Sequence, residues 1–176
     1  MQSTVLAALA AEHVTVQEPV DAWDELLQLY YADPAQWALT LNLRVLLSHA
    51  TAPPTHAVFE RSPAACRHVF SQLGYNDGHL TPRGWELFKE YWDELGWEPD
   101  AYVYIATPAD ACMRRIAHRG RPYEHTITLE YLARIEFQYD NMLRFTTKPV
   151  VRVDGTRPPH IVCDDVRAAV AKILEI

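Results

Sequence analysis

Positive charge, cysteine and long apolar runs are all scarce in this 176-residue chain, and each shortage closes off a class of function. Sixteen lysines and arginines stand against 23 aspartates and glutamates, a formal charge of -7. That balance argues against broad nucleic-acid or membrane-surface binding, while leaving room for a local basic cluster that holds phosphates. The three cysteines, Cys66, Cys112 and Cys163, are widely scattered. They fit neither a disulfide framework nor a zinc site, and they point to a cytoplasmic or other reducing compartment rather than to secretion. No apolar run reaches membrane-spanning length. The N-terminus has neither the basic flank nor the cleavage site of a secretory signal. With no repeat, low-complexity tract or linker, the expectation is one domain over residues 1–176.

What the chain does contain is a regular alternation of short apolar runs and amphipathic stretches. Met1 to Thr4 caps a helix over Val5–Ala11, and Val14–Gln17 reads as a strand stopped by Glu18-Pro19. Helices are expected at 21–31 and 35–49, the second with Trp37, Leu41 and Arg44 on one face. A loop at 51–55 leads to a strand at 57–60, a helix from Pro63 to about Leu73 and a turn at 74–79. A helix at 82–95 buries Trp85, Phe88 and Trp92, and a strand at 101–106 follows. The next helix begins at Thr107-Pro108, another spans about 128–143, and strand 149–153 precedes a last helix at 165–174. Strands alternating with helices imply an α/β fold with a parallel sheet and right-handed crossovers.

Chemistry concentrates where the strands end. His56-Ala57-Val58-Phe59 runs into Glu60-Arg61-Ser62, and Pro63 then opens a helix at the position where a missing N–H costs nothing. Glu60 and Arg61 therefore sit where a strand meets a helix N-terminus, the place where open α/β sheets gather ligands and where anions are favoured. Glu18, forced extended by Pro19, is presented in the same way. Arg115, Arg119 and Arg121 surround His118 and Gly120, and the Gly120 and Pro122 breaks suit a mobile flap. Guanidinium groups on a flap match phosphoryl transfer, where positioning and charge stabilisation carry most of the catalysis. Taken singly, each feature also has a plain structural explanation: an edge salt bridge, a basic helix end, core aromatics.

Together these stretches resemble the deoxynucleoside kinase family. The similarity runs through Glu18-Pro19-Val20 with Trp23, Tyr31-x-Asp33-Pro34-x-x-Trp37-Ala38, and Glu60-Arg61-Ser62-Pro63 with Phe70. It continues through Tyr104-Ile105-x-Thr107-Pro108, Arg115-Ile116-x-x-Arg119-x-Arg121-x-x-Glu124 and Leu129-Glu130-Tyr131-Leu132, in family order over nearly the whole chain. The resemblance implies a five-stranded parallel sheet of the P-loop nucleoside kinase type, an arginine-rich lid at about 115–124, ATP and Mg2+ as cofactors, and usually a homodimer. It implies Glu18 as general base toward a 5′-hydroxyl and Arg61 on the reacting oxygens. Trp23 and Phe70 would flank the base, while Tyr31 and Glu124 would hold the sugar 3′-hydroxyl. Arg115, Arg119 and Arg121 would grip the donor, and Glu60 would help with the metal.

Three departures from the family pattern bear on function. Asn42 stands where a base-reading glutamine is common, and Cys66 where cytidine-preferring members are acidic, which leans the expectation toward thymidine or a broad pyrimidine range. At the front, Gln2-Ser3-Thr4 lines up with the Lys-Ser-Thr that closes a glycine-rich phosphate loop. By that alignment Ser3 and Thr4 fall on the donor and metal side, while the first strand, the loop glycines and the lysine have no counterpart. Two neighbouring strands are then expected to be left unpaired or drawn together. Gln2 in the lysine position is the feature that favours an alternative, a non-catalytic pseudokinase serving as a binding or structural subunit.

Overall fold

The computed structural model describes residues 2–50 and 54–175, apart from the side chains of Pro122 and Tyr123. Met1 and the 51–53 part of the expected loop lie outside the described residues. Helix α1 (Gln2–Leu9) leads into strand β1 (Val14–Val16), a 3-10 turn at Val20–Trp23, α2 (Asp24–Ala32) and α3 (Pro34–Ser48). Strand β2 (Ala57–Phe59) is followed by α4 (Pro63–Ala65), a π-helical stretch at Cys66–Ser71, and α5 (Gln72–Asn76). Then come α6 (Pro82–Leu95), β3 (Tyr102–Ala106), α7 (Ala109–Arg119), a 3-10 turn at Pro122–Thr126, α8 (Leu129–Phe145), β4 (Val150–Asp154) and α9 (Pro159–Leu174).

Local chemistry explains the boundaries. Asp33 caps α3 by accepting from the Gln36 N–H, with Pro34 opening the first turn. Thr81 and Thr128 do the same for α6 and α8, accepting from the Gly84 and Tyr131 N–H groups at 3.0 and 3.1 Å. Gly120 ends α7 in the left-handed conformation at φ 70°, where its N–H reaches the Ile116 carbonyl. The last helix starts at Pro159 rather than at residue 165, because Pro159 supplies a helix-opening residue six positions earlier. The helix from Pro63 continues to Asn76 through the π-helical stretch, so the first half of the expected 74–79 turn is helical. On α3 the buried side is Ala38, Leu41, Asn42 and Leu46, while Arg44 is exposed and does not share the Leu41 face.

The strands are parallel throughout, as expected, but they form two pairs instead of one five-stranded sheet. β1 pairs with β2 with Val16 opposite Phe59, and β3 pairs with β4 with Ala106 opposite Asp154. Both pairs rest on one helical floor. Val5 and Leu9 of α1 interlock there with Val162, Val166, Ala169 and Val170 of α9, and Val58 of β2 and Val103 and Ile105 of β3 press onto the same cluster. Among the described residues β2 and β3 are not hydrogen-bonded to each other, the unpaired one of the two arrangements expected above. A second core lies under α3 and α6, where Ala38, Leu46, Cys66, Leu80, Trp85 and Phe88 meet. The overall class is α/β, rich in helix.

Candidate functional site

The carboxyl ends of β1 and β2 carry the densest polar cluster. The Glu60 N–H extends the ladder by donating to the Val16 carbonyl at 2.9 Å, and Pro19 holds Glu18 out of the helix that follows. Glu18 is then 7% exposed and accepts from Arg61 Nη1 at 2.8 Å. Its own backbone N–H donates to Glu60 Oε2 at 3.2 Å, and Glu60 Oε1 accepts the Ser3 hydroxyl at 2.6 Å. Burial pushes the Glu18 carboxyl above the usual carboxylate range, Arg61 opposes this, and the neighbouring Glu60 adds to it. Arg61 is held fully protonated against the pull of burial by Tyr139, Glu18 and Glu60.

The π-helical stretch sets the side wall. Its wider turn, a geometry common at functional sites, carries Phe70 beneath Arg61, with the guanidinium 5.4 Å from the ring centroid. The same turn aims Cys66 at Asn42: the thiol donates to the Asn42 backbone carbonyl at 3.5 Å. Burial raises the Cys66 thiol to about 12, so it stays neutral. Asn42 is itself 7% exposed. Trp23 is buried with its indole N–H on the Ser48 hydroxyl at 2.9 Å. Tyr31 lies on α2, the helix packed against the 122–126 turn.

The arginine segment divides in two. Arg119 grips the buried Glu124 through Nη2 and Nε, at 2.6 and 3.2 Å, and Arg121 approaches the same carboxylate at 3.8 Å. Arg115, although on the Arg119 side of α7 by spacing, donates instead to the Gly155 carbonyl at 2.6 Å. Gly155 is pressed so close to Thr107 and Ile105 that a Cβ would collide with both. Ser3 joins Glu60, whereas Thr4 is simply exposed on α1. Glu18, Arg61, Phe70 and Glu60 thus form one connected group, joined by Ser3. Arg119, Arg121 and Glu124 form another, with Arg115 apart from both.

Two contributors escape a reading of the sequence alone. Tyr139 on α8 meets the Phe70 ring edge-on, 6.3 Å between centroids. The available signal was its place one turn before the buried Leu143 on α8. Gln2 accepts from Arg61 Nη2 at 3.5 Å, so the residue in the lysine position touches the site's central cation.

The scaffold is α/β with parallel strands, carrying carboxylate and guanidinium groups at the ends of β1 and β2 and a separate arginine-rich turn after α7. The deoxynucleoside kinase family model matches residues 2–174, and the chain belongs to that family. A relative from Invertebrate iridescent virus 3, described as a kinase, is 26% identical over 98% of this chain and 91% of its own length. Deoxycytidine kinase 2 of Gallus gallus is 30% identical over 79% of this chain and 59% of its own. Among solved structures, a deoxyadenosine kinase from M. mycoides, with products dCMP and a flexible dCDP bound, matches with a TM-score of 0.85 at 17% identity. That match covers 98% of this chain and 93% of the other. Among the described residues no helix is long and apolar enough to cross a membrane.

Proposed function

We propose that this protein transfers the γ-phosphoryl group of ATP to the 5′-hydroxyl of a deoxynucleoside, thymidine or a broader pyrimidine set. Family membership implies a nucleoside acceptor and a nucleotide donor. The observation that carries the finer reading is the Glu18–Arg61 pair, 2.8 Å apart at the converging strand ends with Phe70 below. In this reading the hydroxyl oxygen forms the new P–O bond as the bridging oxygen departs with ADP, and the proton passes to Glu18. A carboxylate whose proton affinity is raised by burial suits that transfer. Arg61 neutralises the equatorial oxygens, as an arginine clamp does in such reactions. Phe70 stacks on the base, Trp23 closes the other side, and Asn42 reads the base edge beside the neutral Cys66. Tyr31 and Glu124 hold the sugar.

On the donor side, Arg115, Arg119 and Arg121 take the phosphates and adenine, with Ser3 and Thr4 at the start of α1. Ser3 and Glu60 offer a hydroxyl and a carboxylate 2.6 Å apart. Among the described residues no group of three or more His, Cys, Asp or Glu is arranged for a metal. That donor set fits Mg2+, which characteristically takes one or two protein ligands and completes its shell with water and substrate phosphates. The ion would supply charge neutralisation on the transferred group. A homodimer completes the reading.

The test is phosphate transfer from ATP to thymidine and to deoxycytidine, with thymidine binding measured calorimetrically alongside. Thymidine is expected to bind and to be phosphorylated in preference, with both tied to Glu18. Thymidine binding with no transfer, even from a version given a glycine-rich Gly-Lys loop ahead of Ser3, would leave the pseudokinase as the better description. Transfer that persists undiminished in Glu18→Gln would remove Glu18 as base.

A further inference from the structure

The arginine-rich turn holds a carboxylate of its own. Arg119, the last residue of α7, meets Glu124 side-on, with Nη2 donating to Oε1 at 2.6 Å and Nε to Oε2 at 3.2 Å. Arg121 Nη1 stands 3.8 Å from the same Oε1. Two guanidinium groups therefore share one carboxylate, and the three side chains are unequally buried. Glu124 is 8% exposed, whereas 49% of the Arg119 side chain and 39% of the Arg121 side chain reach solvent.

That inequality decides which partner can leave. The Glu124 backbone is fastened inside the 122–126 turn, its N–H donating to the Arg121 carbonyl and its carbonyl accepting from the Ile127 N–H, both at 3.1 Å. The turn itself packs against α2, so the carboxylate stays in place. Arg119 lies on the far side of Gly120, whose φ of 70° ends α7, and its half-exposed side chain can turn outward to a phosphate without the turn moving. An arginine drawn away in this manner strips a buried carboxylate of its closest cation, and a buried charge left unpaired is costly. A sugar hydroxyl can take the vacated place with a charge-assisted hydrogen bond. A sugar without that hydroxyl cannot.

We propose that Arg119 is a specificity-determining residue for the sugar. While it holds Glu124, the pocket takes nucleosides with little regard to their 3′-hydroxyl. Donor phosphates draw Arg119 away and hand Glu124 to that hydroxyl. This rests on the kinase reading of the site, in which Glu124 meets the sugar and Arg119 meets the donor. Selection of the acceptor is then switched on by the donor nucleotide, through one ion pair that the two ligands dismantle together. The coupling is reciprocal, so thymidine tightens the nucleotide by the same factor as the nucleotide tightens thymidine.

Calorimetric titration with thymidine and with 3′-deoxythymidine, each with and without a saturating non-hydrolysable ATP analogue and Mg2+, tests this without requiring turnover. The analogue is expected to tighten thymidine about tenfold, inside the usual range for coupled sites, and 3′-deoxythymidine by less than about twofold. In Arg119→Gln the carboxylate is free from the start, so the same preference of about tenfold for thymidine is expected with no nucleotide present. Arg119→Lys, which keeps the charge, should bring back part of the dependence on nucleotide. Glu124→Gln should lose the sugar preference under both conditions. Equal tightening of both nucleosides, tightening of neither, or an Arg119→Gln protein no more selective than its nucleotide-free parent would overturn the proposal and leave the kinase reading standing. If the parent protein binds neither nucleoside, the kinase reading itself fails, and the proposal falls with it.

Discussion

In the proposed reading, the acceptor side and the donor side of this molecule are organised to different degrees. On the acceptor side Arg61 is hydrogen-bonded to Glu18 and lies over Phe70, Phe70 meets Tyr139 edge-on, and the adjoining wall of Asn42 and Cys66 is backed by the buried cluster of Trp85 and Phe88. On the donor side the cationic groups are engaged with the protein itself: Arg119 and Arg121 hold Glu124, and Arg115 holds the Gly155 carbonyl. The beginning of α1 contributes the Ser3 hydroxyl to Glu60. A pocket braced by its own side chains is organised before its ligand arrives, whereas arginines paired internally must exchange partners first. Preorganisation of that kind favours the nucleoside over the nucleotide.

Removing the central cation should break the acceptor side most completely. Arg61→Ala is expected to lower phosphate transfer about a thousandfold, the scale of a well-placed arginine in such reactions, and to leave Glu18 buried without its partner. Glu18→Gln comes next, with transfer down about a hundredfold or more as the base is lost, read in the same assay at saturating thymidine. Phe70→Ala is expected to weaken thymidine binding about tenfold, the value of one stacking contact, without altering ATP affinity. Arg119→Ala should reverse that pattern: a several-fold rise in the KM for ATP, partly masked because the same change frees Glu124 from its ion pair.

Acidification sharpens the comparison further and has the smallest expected effect. Because burial raises Glu18, its basic form is lost on acidification at a pH above the 4.5 of an ordinary glutamate, and transfer should fall there rather than below it. Stability responds separately. Burial lowers His49 beneath 6.5, with Arg61 adding to it, and burial likewise lowers His68. Below 6.5 the unfolded chain takes up protons that these folded imidazoles refuse, so their contribution is present above 6.5 and is lost as the pH drops through their folded values. Melting curves between pH 8 and 5.5 should show a modest decline of a few degrees beginning near 6.5. Protonation of Glu18 at lower pH acts in the opposite sense.

Much of the acceptor side was legible from the chain because its signals are local. Pro19 and Pro63 mark where strands stop, and the residues beside them, Glu18 and Glu60-Arg61, were placed by backbone rules alone. The unpaired state of β2 and β3 was likewise foreseeable once no first strand could be assigned. What could not be read were choices made by tertiary contact. The π-helical turn that swings Phe70 under Arg61 has no sequence signature, and the partner of Arg115 depends on how closely Gly155 approaches Thr107. Tyr139 reads as one more aromatic on a helix until α8 is docked against the π-helical stretch that carries Phe70. α9 begins at Pro159 and not at Asp165 because a proline fits the first turn of a helix, which extends it six residues ahead of the expected start.

The contrast between the two sides is most directly tested by titrating the purified protein with thymidine and, separately, with ATP and Mg2+ in a calorimeter. Thymidine should bind without ATP, at least tenfold more tightly than ATP binds without thymidine, with the thymidine heat reduced in Phe70→Ala. ATP binding as tight as thymidine, or thymidine binding only after ATP is present, would show that the nucleoside pocket is not the preassembled half of the molecule.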